Sequence, residues 1–420
     1  MKDGYVHAMQ EHTDRGNLRV RVFSAVDNYP IPDAVVRISY TGDPDSVVEE
    51  VRTDSSGVTP ELSLPAPALE YSMEPSPEQP YSEYTIRVTS PEFELEEVTG
   101  TEILSGENAE QPVSMNPRTP QGEFQSIVIP AHTLFAEYPP KIPEEEIKPM
   151  NESGEIVLSR VVIPEYIVVH DGAVGDTTAR DYYVRYRDYI KNVASSEIYA
   201  TWPANSIRAN VLAIMSFTLN RVYTEWYRNK GYDFTITSST AYDHKWIPGR
   251  NVFDSISVIV DELFENYLSR PNVRQPILTQ YCDGQRVQCP GWMTQWGSKY
   301  LGDQGYSAIE ILRYFYGENM YINVAEEISG IPASWPRVDL TVGSEGQKVF
   351  QMQEQLNVIA GAYPAIPRVP ETGVFDEATR ASVEVFQNVF GLPVTGVVDY
   401  RTWYRIQDIY VGVSRIAELN

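Results

Sequence analysis

The sequence predicts a multidomain chain: an N-terminal β-sandwich, a central mixed α/β domain and a C-terminal three-helix unit. Three observations carry that prediction. Apolar residues alternate from residue 17 to about residue 117, as at Leu18, Val20 and Val22, at Val36 and Ile38, and at Tyr84, Ile86 and Val88. Between Tyr189 and Arg221 the spacing turns helical: Ile190, Val193, Ala194 and Glu197 share one face, and after Trp202-Pro203 a second stripe runs through Ile207, Val211, Ile214 and Met215. Near the C-terminus the chain repeats itself, TGVFDEAT (Thr372–Thr379) returning as TGVVDYRT (Thr395–Thr402) at an offset of 23 residues.

The first unit, residues 1–117, reads as about seven short strands separated by turn clusters such as TGDPD and TDSSG, with no helical stripe. Residues 118–160 change character. Pro120, Pro130, Pro139, Pro140, Pro143 and Pro149 punctuate them and an acidic run, EEEIKPMNESGE, follows. Such a stretch is expected to be extended and hard to pack, and to offer a protease a place to cut. Residues 161–328 form the mixed α/β region, and residues 335–420 the helical unit. In the latter, Val349, Met352, Leu356 and Ile359 make one inner stripe and Thr379, Val383, Phe386 and Phe390 another, while each repeat supplies a Gly turn and an Asp helix cap.

Charge narrows the partners. With 58 acidic against 33 basic residues and a net charge of −25, nucleic acid and anionic membrane are disfavoured, and an uncharged or mixed-charge polymer fits better. No apolar run approaches the ~18 residues of a membrane span. The opening MKDGYVHAMQEHTDRG lacks the apolar core of a secretory signal, so the chain is expected to stay where it is made or to travel by a route the sequence does not display.

The candidate chemistry centres on Glu197. A carboxyl on an oily helix face beside a helix break is suited to hold and release a proton near neutral pH; the alternative is a helix-terminal side chain reaching back to solvent. Cys282 and Cys289 leave three possibilities open: a local disulfide, two buried thiols, or half a zinc site whose nearest histidines in sequence, His244 and His170, are distant.

Three strings in residues 161–328, namely VASSE (Val193–Glu197), IRANVLAIMSFTLNR and WMTQWGSKYLGDQGYSAIEILRYFYG (Trp292–Gly317), resemble the signatures of the stage II sporulation protein D family (SpoIID/LytB), in the family's order. IPEYIVVHDG, ATWP, FTLNRVYTEWY and YCDG extend the likeness to clostridial spore cortex-lytic enzymes of the SleC type. The C-terminal repeat region resembles a type 1 peptidoglycan-binding domain, and GNLRVRVFSAVDNYPIPDAVVRI resembles carboxypeptidase-regulatory or transthyretin-like domains.

The resemblance implies a lytic transglycosylase acting on peptidoglycan glycan strands of the spore cortex. It implies a zymogen whose Pro-rich segment is cut by an activating protease at germination, and a location in the spore cortex region or cell wall. It aligns Glu197 with the family's catalytic acid. One carboxyl then suffices, because the muramic acid C6 hydroxyl is the nucleophile, whereas hydrolysis ordinarily employs two. Arg208 is expected either to bind a glycan oxygen or stem-peptide carboxylate or to be a solvated charge. Thr294, Gln295 and Trp296 match a cleft-lining string, although Trp292 and Trp296, four apart, also suit one side of a packed helix. Some family members hold zinc near Cys282 and Cys289, but a His usual there is missing and Met215 stands where many have Arg. A non-catalytic, wall-bound enhancer of a separate amidase, as in the LytB branch, is the alternative. An amidase itself would want a zinc-binding His/Glu set that the chain does not display.

Overall fold

A computed structural model describes residues 14–414 apart from residues 27, 120–123, 150–160, 326, 329–335 and 337. Alternation in the first unit builds seven strands: β1 (Asp14–Ser24), β2 (Val35–Tyr40), β3 (Asp43–Arg52), β4 (Leu62–Ala66), β5 (Ser82–Thr89), β6 (Glu96–Ile103) and β7 (Asn108–Met115). Leu18, Val20 and Val22 point inward from β1, and Val36, Ile38, Ile86, Val88 and Val98 meet them from β2, β5 and β6 in one core. The inward face is fully buried, which is why the sequence alternates so cleanly.

The first unit does not complete its own sheets. One sheet runs β3-β2-β5-β6-β8, where β8 (Gln125–Val128) comes from the stretch expected to be an unstructured linker and pairs parallel with β6. The other runs β4-β1-β7-β13, and β13 (Val252–Phe253) belongs to the central region, pairing antiparallel with β7. The N-terminal unit is therefore joined to the central one by main-chain hydrogen bonds. A buried ion pair lies beside that seam. Both guanidinium NH groups of Arg250 reach the Glu102 carboxylate at 2.6 Å, with side chains 0% and 1% exposed. Asn251 brackets the same residue, accepting from Glu102 N at 3.0 Å and donating to its carbonyl at 2.9 Å.

Between β8 and β13 lie short strands β9 (Val162–Ile163), β10 (Tyr166–His170), β11 (Asp181–Arg185) and β12 (Ile236–Thr237), with two helices, α1 (Tyr186–Glu197) and α2 (Ala204–Tyr223). Helix α2 is the hub of the central region; most of its residues are buried, including Ser206, Asn210, Ser216, Thr218, Asn220 and Arg221. Their donors are paired, as burial requires: the Asn220 amide donates to Pro276 O at 2.7 Å and Ser216 to Ile277 O at 2.9 Å, although Asn220 Oδ1 has no partner among the described residues. Helix α3 (Asp254–Leu263), β14 (Asn266–Ser269), β15 (Tyr281–Cys282), β16 (Met293–Thr294), α4 (Gln295–Asp303), α5 (Ala308–Tyr316), β17 (Tyr321–Val324) and β18 (Glu327–Ile328) complete it. Ser307 and Glu310 form the capping box expected at the start of α5.

Helices α6 (Gln347–Ala362), α7 (Glu377–Val389) and α8 (Tyr400–Ser414) make up the C-terminal region. The internal repeat has a physical basis here. Buried Gln353 accepts from Thr372 N and Gly373 N at 3.0 and 2.9 Å; Gln387 accepts from Thr395 N and Gly396 N, both at 2.9 Å. Each glutamine thus clamps one copy of the Thr-Gly-Val turn. Gly373 and Gly396 sit at φ +72° and +68°, where a side chain is strained. Asp376 and Asp399 then accept from Thr379 N and Thr402 N at 2.8 Å each, capping the helices that follow. This region also touches the centre: Glu262 on α3 pairs with Arg401 and with Arg208.

Removing one member of the Arg250–Glu102 pair strands a buried charge. Arg250→Met should lower unfolding free energy by ~3–5 kcal/mol, read as a reduced denaturant midpoint. An unchanged midpoint would mean that the pair does not hold the two regions together.

Candidate active site

Glu197 is the last residue of α1 and is 4% exposed. Its setting is constructed from three directions. Asn192, one turn earlier, donates to Ile247 O at 2.7 Å and accepts from Ile247 N at 3.0 Å, strapping the 244–250 loop to the helix. That places Lys245 N–H 2.9 Å from Glu197 Oε1. From β16 and α4 comes Gln295, whose amide donates to Glu197 O at 2.7 Å and lies 3.2 Å from Oε2. The third direction is the Pro-rich segment: the Thr133 hydroxyl is 2.8 Å from Ser196 O and 3.3 Å from Glu197 Oε2. The carboxyl is buried as its helical spacing implied, but it meets three polar donors there and not a bare apolar wall. Arg250 reinforces the same helix end by donating to Ser195 O at 2.5 Å.

Glu197 borders a cavity of about 380 Å³ lined also by Gln295, Tyr281, Asp283, Thr240 and, from the strap, Thr133 and residues 136–141. The strap, residues 124–149, is packed where the sequence predicted loose chain. Ile129, His132, Leu134 and Lys148 are buried. Glu144 grips Arg221 at 2.5 and 3.0 Å, and Glu146 grips Arg270 at 2.6 and 2.7 Å. Arg286 donates to the strap carbonyls of Thr133, at 2.8 Å, and Ala136. These pairs explain why an acidic, proline-rich segment orders: its carboxylates meet guanidinium groups fixed on the central region.

Of the residues singled out from sequence, Glu197 and Gln295 come together. Thr294 does not line the cavity; it packs against Gly284 and Gly297, where an added Cβ would come within 2.5 Å of Thr294 Cβ and 2.1 Å of its hydroxyl. Trp296 is 7% exposed and stacks at a tilt on Trp202, ring centres 5.0 Å apart, so it is part of an aromatic core and not a platform in the cavity. Arg208 points at Glu262 and the C-terminal region, away from the cavity. Cys282 and Cys289 are joined as a disulfide, which leaves neither sulfur as a thiolate ligand. Among the described residues no group of three or more His, Cys, Asp or Glu could hold a metal.

In and around the cavity stand further groups to which the sequence reading gave no role there. Tyr281 and Asp283 stand in the YCDG string, where β15 pairs parallel with β16 and so brings them beside Gln295. Burial, and then the Glu197 charge, raise the Tyr281 phenol well above its usual range. Asp283 is engaged elsewhere, accepting from Val287 N at 2.9 Å and Arg286 Nε at 3.0 Å. Lys245 contributes a main-chain N–H, invisible to any reading of side-chain types. His244, fully buried, touches the Tyr189 hydroxyl through Nδ1 at 3.2 Å. Burial, reinforced by Lys141 and Arg221, holds it neutral, well below the usual histidine range. His132 on the strap is lowered in the same way, by burial first and then by Arg250.

Against known proteins, the family model for a peptidoglycan binding domain (PG_binding_1) matches residues 345–406. The C-terminal region is therefore a peptidoglycan-binding domain, which supports peptidoglycan as a partner and is consistent with cell-wall association. No curated protein matches the chain. Partial similarities among solved structures include the Bacillus anthracis TIE protein, 15% identical over 25% of this chain and 17% of that one, with a TM-score of 0.17. Klebsiella pneumoniae 5-hydroxyisourate hydrolase is 14% identical over 24% of this chain and 92% of its own, and catechol 1,2-dioxygenase from Acinetobacter sp. ADP1 is 12% identical over 28% and 60%, both with TM-scores of 0.17. Scores of that size carry nothing further about fold or activity. No described helix is long and apolar enough to cross a membrane.

The two buried histidines set a pH dependence. Their folded values lie below the unfolded 6.5, so the unfolded chain takes up protons that the folded chain refuses. Their contribution to stability is fully present above that value and is lost as pH drops below it, while Glu83, Glu96 and Asp254, raised by burial to about 7, 7 and 6, act in the opposite sense. The histidine contribution is therefore read by difference: between about pH 7.5 and about pH 5.5 the urea midpoint of His132→Leu should fall less, or rise more, than that of the native chain.

Proposed function

We propose that the chain is a peptidoglycan lytic transglycosylase of the SpoIID type with Glu197 as its single acid and base. One observation carries the reading: in a chain that bears a peptidoglycan-binding domain, the cavity has one carboxylate on the central region free to serve chemistry. Glu197 is held by Lys245 N–H and the Gln295 amide, Asp283 is tied into its own turn by Arg286, and Glu137 belongs to the strap. Two carboxylates at fixed separation, as hydrolysis ordinarily wants, are not provided.

The chemistry then balances on one group. Protonated Glu197 gives its proton to the glycosidic oxygen as the C1–O bond of the muramoyl residue breaks. The C6 hydroxyl of the same residue closes on C1, forming a 1,6-anhydro ring, and its proton returns to Glu197. Gln295 and Lys245 N–H hold the carboxylate in place in both states. The protein consumes no water, which suits a carboxyl enclosed on three sides.

The strap supports the second part of the proposal, that the intact chain is a zymogen. It lies along the cavity and holds Thr133 against Glu197 Oε2 at 3.3 Å, where a sugar would need to approach. Activation requires that it be cut and displaced. Spore cortex glycan, cleaved at germination, is the substrate that the likeness to SleC-type enzymes favours. The peptidoglycan-binding domain raises the local concentration of glycan at the cleft.

Glu197→Gln should lower release of 1,6-anhydro-muramoyl ends by at least ~10²-fold while leaving sedimentation with cell-wall sacculi unchanged, both read from purified peptidoglycan by mass spectrometry and pull-down. Undiminished anhydro ends would remove Glu197 from the mechanism. If neither form yields such ends but the protein stimulates a separate amidase, the enhancer reading takes over. Protease sites placed within residues 120–123 and 150–160 allow the strap to be excised while the N-terminal unit stays docked. Excision should raise glycan cleavage at least ~10-fold, by freeing an occluded site; equal rates before and after would end the zymogen proposal.

A further inference from the structure

The strap places a lysine where its presence is not needed for the strap to bind. Pro139 and Pro140 run beside the 240–243 loop, with Ile142 N donating to Ala241 O at 2.7 Å and Thr240 Oγ1 donating to Pro139 O at 3.3 Å. These bonds and the two arginine clamps downstream already fix the segment. Between them the Lys141 side chain turns inward. Its ammonium donates to the main-chain carbonyl of Asp243 and lies 3.5 Å from that of Thr240. It stands 4.7 Å above the ring centre of Tyr281 and 6.0 Å from that of Phe217.

Every group around that ammonium belongs to the central region, on three different segments. The Asp243 carboxylate accepts no bond from the lysine, since Arg221, Tyr227 and Thr237 occupy it at 2.8, 2.7 and 2.7 Å, and it acts on the ammonium through its charge alone. What faces the lysine is a pair of carbonyl oxygens and a pair of aromatic rings, with the Glu197 charge nearby. Carbonyls and π-faces recognise a cation by dipole and quadrupole, and they do so without binding it as tightly as a paired carboxylate would. That combination suits an occupant which leaves.

We infer that the cleft contains a primary-ammonium subsite beside Glu197, filled by Lys141 in the intact chain and by an amino group of the wall substrate once the strap is displaced. The inference rests on reading the cavity as the substrate cleft. Two wall components present that chemistry: a glucosamine whose acetyl group has been removed, and the side-chain amine of a diamino acid in a stem peptide. Either would bring its ammonium between Tyr281 and the 240–243 carbonyls, with the neighbouring sugar toward Glu197. The strap is then inhibitory by imitation of the substrate and not only by bulk.

The test uses the full chain with Lys141→Ala and Lys141→Met, titrated by calorimetry with three probes: a glucosamine tetramer, its N-acetylated counterpart, and an Ala-Glu-Lys peptide. Lys141→Ala opens the subsite and should bind at least one amine probe about tenfold more tightly than the native chain, with no gain for the acetylated tetramer. Lys141→Met refills the space with an apolar stem and should gain nothing. Which amine probe gains identifies the source. Equal gains for acetylated and free amines, or none for either amine, would overturn the subsite. Should Lys141→Ala fail to fold, the strap-excised chain takes its place with the same probes. Binding needs no turnover, so a strap-excised chain that binds amines yet makes no anhydro ends would sink the transglycosylase reading and leave the subsite standing.

Discussion

Arg250 is the residue on which the arrangement depends. Its guanidinium spends two bonds on Glu102 of β6 and one on the Ser195 carbonyl, two residues before Glu197. A buried guanidinium cannot shed its proton, so these three acceptors must all be present and in place. One side chain therefore ties the N-terminal sheet to the end of the helix that carries the candidate acid. The position of Glu197 and the docking of the first unit are a single packing problem.

The strap is the complement to that constraint. The strap buries only a few apolar side chains, Ile129 and Leu134 among them, and adds charge to hold itself: Glu144 with Arg221, Glu146 with Arg270, and the carbonyls that Arg286 collects. Arg221 in turn rests on Asp243, both fully buried. The acid-rich character that read as a solvated linker is thus what binds the segment to the fold. Such contacts are local and separable from the apolar core, and a segment held mainly by them is the part most readily exchanged for another ligand.

Much of the architecture was legible in the sequence because it is written at short range. Alternation at Leu18, Val20 and Val22, the helical stripe ending at Glu197, the Ser307–Glu310 capping box and the paired Thr-Gly-Val turns each depend on neighbours within a few residues. The clamp on those turns was not legible, since Gln353 and Gln387 read as ordinary helix residues until their partners across the bundle are known. The site divided the same way. Glu197 was singled out from spacing and Gln295 from the resemblance, and the structure brings the two side chains together. Trp296 was misplaced because an aromatic at helical spacing suits a core as well as a groove, and Arg208 because a helix-face charge gives no sign of which neighbour will answer it. Thr133, Lys141 and the Lys245 main-chain N–H reach the site from elsewhere in the chain, through bonds that no local pattern encodes.

The borrowed strand β13 has a consequence for how the molecule comes into being. Ribosomes deliver β7 long before residues 252–253, so the emerging N-terminal sheet carries an unpaired edge and, at Glu102, a charge still waiting for its counter-ion. A sheet made earlier than the central region is thus finished only with it. Its closure waits for the segment that also brings the 244–250 loop against Glu197, and the sheet is sealed in the same event that assembles the cleft.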